Sequence, residues 1–426
     1  VQQASGREHR IPKSPAVWLA VTVMGSLFMA QTLPQAFVTQ LLPTIYREQG
    51  LPLNQFWVFS LLLAPSYLRW LWAPLVDRHG SERFGRRRSW VLPSTGFATV
   101  AYLVLLFITP TIEHLPLAVG ILLVQTLAIT TQEVAVDAYV VEGLRPEERG
   151  LGAGVRVMME ALAELVALLA LTQIYDRYGW SAAVVFGAAF LILFTAPILA
   201  RREAPVMRLP QDEASPRASV QAFIRRRDAL LIGLNLAACG LAFGIYLPML
   251  GPFLIDRGFE VAEVGQILAG VIVGGMLLGS LGGILLSARL APRHMMMIAG
   301  GMTPLAFGAP VLLVNATAAT AGTAVACLLG TAVLLAFFNV TLNIARMGWA
   351  VGSQAGTDYA IATGILKAGM AGGLTVGGLV AGTVGWAWFF PINGMVVATA
   401  AMLFVVSLAP IAARAPNAAS GAPPPT

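Results

Sequence analysis

The chain has 426 residues, 57% of them hydrophobic and 11% charged, with a formal net charge of +6 and a mean hydropathy of +0.75. A soluble domain carries roughly 25% charged residues, so this composition excludes an ordinary water-soluble globule and points to the bilayer as solvent. The basic excess lies in loops between apolar runs, which fits membrane topology better than nucleic-acid binding.

A run of about 20 apolar residues crosses a bilayer. On that measure twelve spans follow in chain order, near 16–46, 55–76, 90–110, 115–141, 152–175, 182–200, 229–255, 264–287, 295–314, 317–344, 358–383 and 387–412. Residues 1–15 form a tail that starts at Val1. It does not join a basic head, a short apolar core and a cleavage site, so no cleaved signal peptide is expected. Residues 16–200 and 229–412 hold six spans each. Between them lies a polar, basic linker, 201–228, with Pro205, Pro210 and Pro216. An even split around a long linker is the organisation of a transporter built from repeated halves. The expected fold class is an all-α integral membrane protein of two six-helix bundles. Residues 413–426 are rich in Ala, Pro and Gly and are expected to be disordered.

Charge sets the expected orientation. One side collects Arg7, Arg10, Lys13, the five arginines from Arg78 to Arg88, and Arg145, Arg149 and Arg156. The same side holds the seven linker arginines, then Arg289, Arg293, Arg346 and Arg414. The other side has Arg47, Arg177 and Arg257, while Arg69 and Lys367 fall inside spans. The positive-inside rule places both termini and the linker in the cytoplasm.

Several chemistries find no support. A P-loop needs a lysine after a glycine-rich turn, and the two lysines, Lys13 and Lys367, both lack that context. The four histidines, His9, His79, His114 and His294, sit in tails or at helix ends, which argues against an intramembrane metal or haem centre. No Gly-x-Ser-x-Gly or His-Glu-x-x-His occurs. Cys239 and Cys327 lie in apolar runs and suit small core residues. The expectation is a transporter driven by a gradient, not an enzyme, with no cofactor and no protein-bound metal.

Such a transporter needs polar groups at mid-membrane. In the first span Gln31, Gln35 and Thr39 share a helix face. Glu133 and Asp137 are four apart in the fourth span, and Arg156, Glu160 and Glu164 form an i, i+4, i+8 row in the fifth. Lys367 stands alone in the eleventh, with no acidic neighbour within a turn, and Asn339 and Asn343 form a weaker polar face in the tenth. Glu133, Asp137, Glu160 and Glu164 are candidate proton carriers, since carboxylates in a partly dry cavity suit that task. A purely structural ion cluster of Arg69, Glu133, Asp137 and Arg156 is the competing expectation, as is simple interhelical hydrogen bonding for the glutamines. Gly270, Gly274, Gly275, Gly279 and Gly283 in the eighth span, and Gly369, Gly373, Gly377, Gly378 and Gly382 in the eleventh, mark close helix contacts. These two helices are expected to line the seam between bundles.

Ala73-Pro-Leu75-Val-Asp77-Arg78-His-Gly80, followed after an insertion by Arg86-Arg87-Arg88, resembles the loop after the second helix of the major facilitator superfamily. The resemblance implies that Asp77, Arg78 and Gly80 latch one gate, with Asp77 pairing near Arg149 or the helix end at Glu142. The second-half loop, Ser287-Ala-Arg289-Leu-Ala-Pro-Arg293, lacks the Asp. Phe59 to Asp77, Gly85 to Trp90, Thr131-Gln-Glu133-Val-Ala-Val-Asp137-Ala-Tyr139 and Glu147 to Gly154 resemble a subgroup within that family. It contains anhydromuropeptide permeases, acetyl-CoA transporters and rhizobactin and pyochelin siderophore permeases. Gln31 to Gly50 looks most like the siderophore branch, and the twelve expected spans do not include the extra C-terminal spans often present in muropeptide permeases. Where that branch has a Gly-Tyr-Arg-like segment, this chain has Arg156-Val-Met-Met-Glu160.

The resemblance implies a proton-coupled, alternating-access importer of a ferric siderophore in the bacterial inner membrane, working as a monomer. Iron would enter only as part of the transported chelate. Gln31, Gln35, Arg69, Tyr139, Arg156, Asn339, Asn343 and Lys367 would contact the substrate, with Tyr67 and Trp70 as further ring contacts. The alternative is a permease for anhydromuropeptides or another amphiphilic anion. A receptor of transporter-like fold that does not transport is a third class.

Overall fold

Proline and glycine decide where the helices break. The computed structural model describes residues 15–81, 83–143, 149–200, 223–287, 289–316, 319–349 and 355–414. Among them, eight helical stretches are long and apolar enough to cross a membrane. Two of the eight, Met158–Ala200 and Ile361–Ser407, run to 43 and 47 residues, too long for one crossing at 1.5 Å per residue. Each bends at a left-handed glycine, Gly179 (φ 78°) and Gly385 (φ 75°). An L side chain rarely adopts that conformation. A Gly-Trp pair thus joins the fifth span to the sixth, and the same pair joins the eleventh to the twelfth.

The first two crossings are broken helices. Helix Pro15–Ala36 passes through a π-helical turn, Phe37–Leu41, into Leu42–Glu48. The second crossing consists of short pieces: Leu53–Gln55, Trp57–Leu61, Ala64–Leu68, Arg69–Leu71 and Ala73–Arg78. Sequence periodicity leads one to expect a continuous helix here. Pro65 and Pro74 each start a new piece, because proline lacks the N–H and collides with the carbonyl four residues back. Arg69 therefore opens a 3₁₀ turn. With these two segments the chain makes twelve crossings, in two six-helix bundles.

The basic loop is tied to itself. A Cβ at Gly80 would lie 2.6 Å from the Arg86 carbonyl oxygen, so only glycine lets the strands of the loop cross. The Trp90 indole N–H donates to the His79 carbonyl, and Arg87, 3% exposed, donates to the Val76 carbonyl at 3.3 Å. The side chains of Asp77, Arg78, Glu142 and Arg149, the latch implied by resemblance, lie outside the described residues. At the same end of the second bundle, Arg226 donates to Asp228 at 2.7 and 2.9 Å. It also reaches Asp358 at 2.6 Å and the Trp349 carbonyl at 3.0 Å, tying the seventh, tenth and eleventh spans together.

The two bundles meet on the face opposite the basic loops. Arg47 grips Asp256 with two bonds of 2.6 and 2.8 Å, and the Trp386 indole donates to the same carboxylate at 2.8 Å. Thr375 donates to Ser60 at 3.1 Å. Gly251 lies against Thr44, Gly265 against Leu168 and Thr172, and Gly378 against Leu53. These contacts seal that face.

The eighth and eleventh spans do reach the other bundle, but most of the glycines expected to mark that seam pack inside the second bundle. In the eighth span Gly275, Gly279 and Gly283 pack on Ala332, Val333 and Val340 of the tenth, inside one bundle. Gly369, Gly373 and Gly377 pack on the seventh span, and only Gly378 and Gly382 of that row face the other bundle. Glycine spacing marks close approach without naming the partner.

Candidate functional site: a six-membered charge ladder across the seam

Helical periodicity puts Glu133 and Asp137 one turn apart on one face of helix Leu115–Gly143. The same spacing puts Arg156 below Glu160 on helix Arg149–Val166. The 3₁₀ break of the second crossing brings Arg69 between them. Arg156 Nε contacts Glu160 Oε1 at 2.8 Å and its Nη1 contacts Asp137 Oδ1 at 2.7 Å. Arg69 Nη1 lies 3.6 Å from both Asp137 Oδ2 and Glu133 Oε2. Lys367 Nζ stands 4.0 Å from Glu133 Oε2. Signs alternate along the whole row, Glu160, Arg156, Asp137, Arg69, Glu133, Lys367, and the formal charges cancel. Five members belong to the first bundle and Lys367 to the second.

Sequence reasoning named every member, but the structure changes two roles. Lys367, alone in its own helix, has a carboxylate partner across the seam. Arg156 is held within the ladder, and its guanidinium sits 5.0 Å from the Phe28 ring centroid, a cation–π contact. Glu164 follows Glu160 by one turn, and among the described residues no ion pair or hydrogen bond reaches it.

The other candidates divide. Gln35 and Glu133 line one small cavity of about 10 Å³ with Ser66, Gln125 and Thr130, close to the space one water needs. Gln31 is buried, and its amide nitrogen finds no partner among the described residues. Tyr139 is only 5% exposed and belongs to a core cluster with Val23, Leu27 and Phe28 of the first bundle. Its burial follows from helix phase: it is two residues past Asp137, on another face. Asn343 donates to Asn339 at 3.1 Å and accepts from Arg346. Among the described residues no bond joins this group to the ladder. Gln132, which carried no assignment, is fully buried and bridges Thr95 (2.8 Å) and Thr195 (3.3 Å), binding the third, fourth and sixth spans.

Removing Arg69 tests whether the ladder works or merely holds. In an Arg69→Gln variant Asp137 keeps Arg156 and Glu133 keeps Lys367, so no carboxylate loses its last cation. Insertion and melting temperature are expected to stay near wild type while uptake falls about tenfold or more, the weight of one charged contact. Failure to fold would make Arg69 structural.

The major facilitator superfamily model matches residues 23–347. The chain belongs to the major facilitator superfamily. It is 28% identical over 278 residues to the anhydromuropeptide permease of Escherichia coli strain K12, covering 64% of this chain and 56% of that protein. The match thus spans little more than half of that relative. Among solved structures it is similar to the nucleoside transporter NupG, with TM-score 0.65 and 15% identity over 91% of this chain and 98% of that one. The inward-open xylose transporter XylE from E. coli gives TM-score 0.66 and 12% identity, covering 91% and 94%. At these identities the structural likeness speaks for the fold. Membership and these likenesses give the chain the multi-pass membrane fold of that superfamily.

Proposed function

We propose that the protein is a proton-coupled permease for an anhydromuropeptide or another amphiphilic anion, working by alternating access. The observation that carries this is the ladder's end at Lys367. The five first-bundle charges have close partners on their own side, whereas among the described residues the Lys367 ammonium has one ion-pair contact, at 4.0 Å, and three N–H groups to offer. An anionic group between the bundles gains most at that cation. In this reading Glu133, held by Arg69 and Lys367 beside a water-sized and mostly apolar cavity, exchanges a proton as the anion arrives. Asp137 and Glu160 are engaged by Arg156 and serve the ladder. We assign the basic face to the cytoplasm of a bacterial inner-membrane protein, so the sealed face is the outer one. The transporting unit in this reading is a monomer.

The likeness to the anhydromuropeptide permease supports this substrate class over a ferric siderophore, for which the comparisons offer no support. The experiment is uptake into proteoliposomes under an inward proton gradient, with a labelled anhydromuropeptide in one arm and an iron-loaded phenolate siderophore in the other. Accumulation of the first alone is expected. Accumulation of the siderophore alone would overturn the assignment, and binding without accumulation of either would favour a receptor.

A further inference from the structure

The membrane-facing side of the second bundle carries a cleft unrelated to the ladder. The eighth span, ending in helix Gly274–Ser287, and the ninth, Pro292–Asn315, both pack on the tenth, Ala321–Trp349, and part from each other. The gap encloses about 530 Å³ with an apolar lining floored by Gly330. Its flanks, Leu278 and Leu305, are 54% and 71% exposed, so the cleft opens sideways into the bilayer.

Two dimensions and a charge say what fits. Along the ninth span the cleft runs from Ile298 to Ala309, about 16 Å at 1.5 Å per residue. One leaflet of a bilayer core about 30 Å thick is about 15 Å deep. The Ile298 end lies toward the basic face, and Arg293 precedes it by about 7 Å of helix. Arg289 sits in the turn just before. Both arginines are exposed, and among the described residues neither has an ion pair. A leaflet-length apolar slot under two free guanidinium groups matches an acyl chain with an anionic headgroup.

We propose that this cleft binds one anionic phospholipid of the leaflet on the basic face. An acyl chain lies between the eighth and ninth spans over Gly330, and the phosphate is held by Arg289 and Arg293. The site rests on no assumption about the transported molecule, and its failure would leave the transport reading untouched.

The test is native mass spectrometry of the full chain in mild detergent, titrated with phosphatidylglycerol and, separately, phosphatidylcholine. Wild type is expected to retain one phosphatidylglycerol at least about tenfold more tightly than phosphatidylcholine. Arg289→Gln and Arg293→Gln should each weaken phosphatidylglycerol about fivefold. Gly330→Leu should abolish retention with an unchanged melting temperature, since a Cβ there meets nothing within 4 Å. Gly282→Leu, equally open, is the second filling variant. Equal retention of both lipids, or undiminished retention in the filled variants, would overturn the site. So would a dimer that disappears on filling, which would assign the cleft to a second copy. If both filled variants fail to fold, the arginine variants decide.

Discussion

Uptake by a Lys367→Gln variant is expected to fall about thirtyfold or more, with insertion and melting temperature close to wild type. The two halves of that statement have separate causes. Stability survives because Glu133 keeps Arg69 at 3.6 Å, so no buried carboxylate loses its last cation and the large penalty of an orphaned charge does not arise. Transport fails because Lys367 is the ladder's one member from the second bundle. A substrate anion held only by first-bundle groups gives the second bundle nothing to close upon. Truncating one partner of a desolvated charge pair costs about 2–5 kcal/mol, which sets the thirtyfold floor. Lys367→Arg keeps the charge but spreads it over a planar fork, and partial recovery is expected. Uptake by the glutamine variant at the wild-type rate would remove Lys367 from the site. Parallel loss of folding would make it an architectural pair.

Much of this site was legible in the sequence, because charges inside apolar runs are few and expensive. Glu133 with Asp137, and Arg156 with Glu160, follow from helical spacing alone. The Lys367–Glu133 contact was not legible, since it joins residues from different bundles and no local period encodes it. The twelve crossings and the six-and-six division follow from hydropathy. The breaks at Pro65 and Pro74 were visible as residues, but their effect, a 3₁₀ turn that carries Arg69 toward the fourth span, needed the packing around it. Tyr139 lies away from the ladder for a simpler reason. An aromatic residue near charged neighbours belongs to the site only if its own helix face does, and its face turns to the core. The glycine rows picked out helices that do reach the seam but not which glycines face it, because spacing announces a close neighbour and not which bundle supplies it.

That last point yields a second large effect. Gly265 sits in helix Val261–Leu268, which opens on a capping box formed by Glu260 and Glu263. A Cβ at this position would overlap the Leu168 carbonyl and the Thr172 hydroxyl across the seam. Alanine improves the helix itself, so any cost of Gly265→Ala falls on the contact between bundles. Overpacking of this kind costs about 1–3 kcal/mol, enough to change the ratio of closed to open forms of the sealed face about fivefold to a hundredfold. Gly244→Ala makes the contrast. Its Cβ would overlap the Met370 carbonyl within the second bundle, so it should lower the melting temperature and leave the seam alone. Spin labels at the exposed positions Gln49 and Gln266, in a background with Cys239 and Cys327 replaced, report the separation. Gly265→Ala should lengthen the label-to-label distance with little change in melting temperature, and Gly244→Ala should do the reverse. If Gly265→Ala only destabilises and the distances stay fixed, the fifth and eighth spans do not part during transport, and the moving surface must be sought along Arg47–Asp256 and Thr375–Ser60 instead.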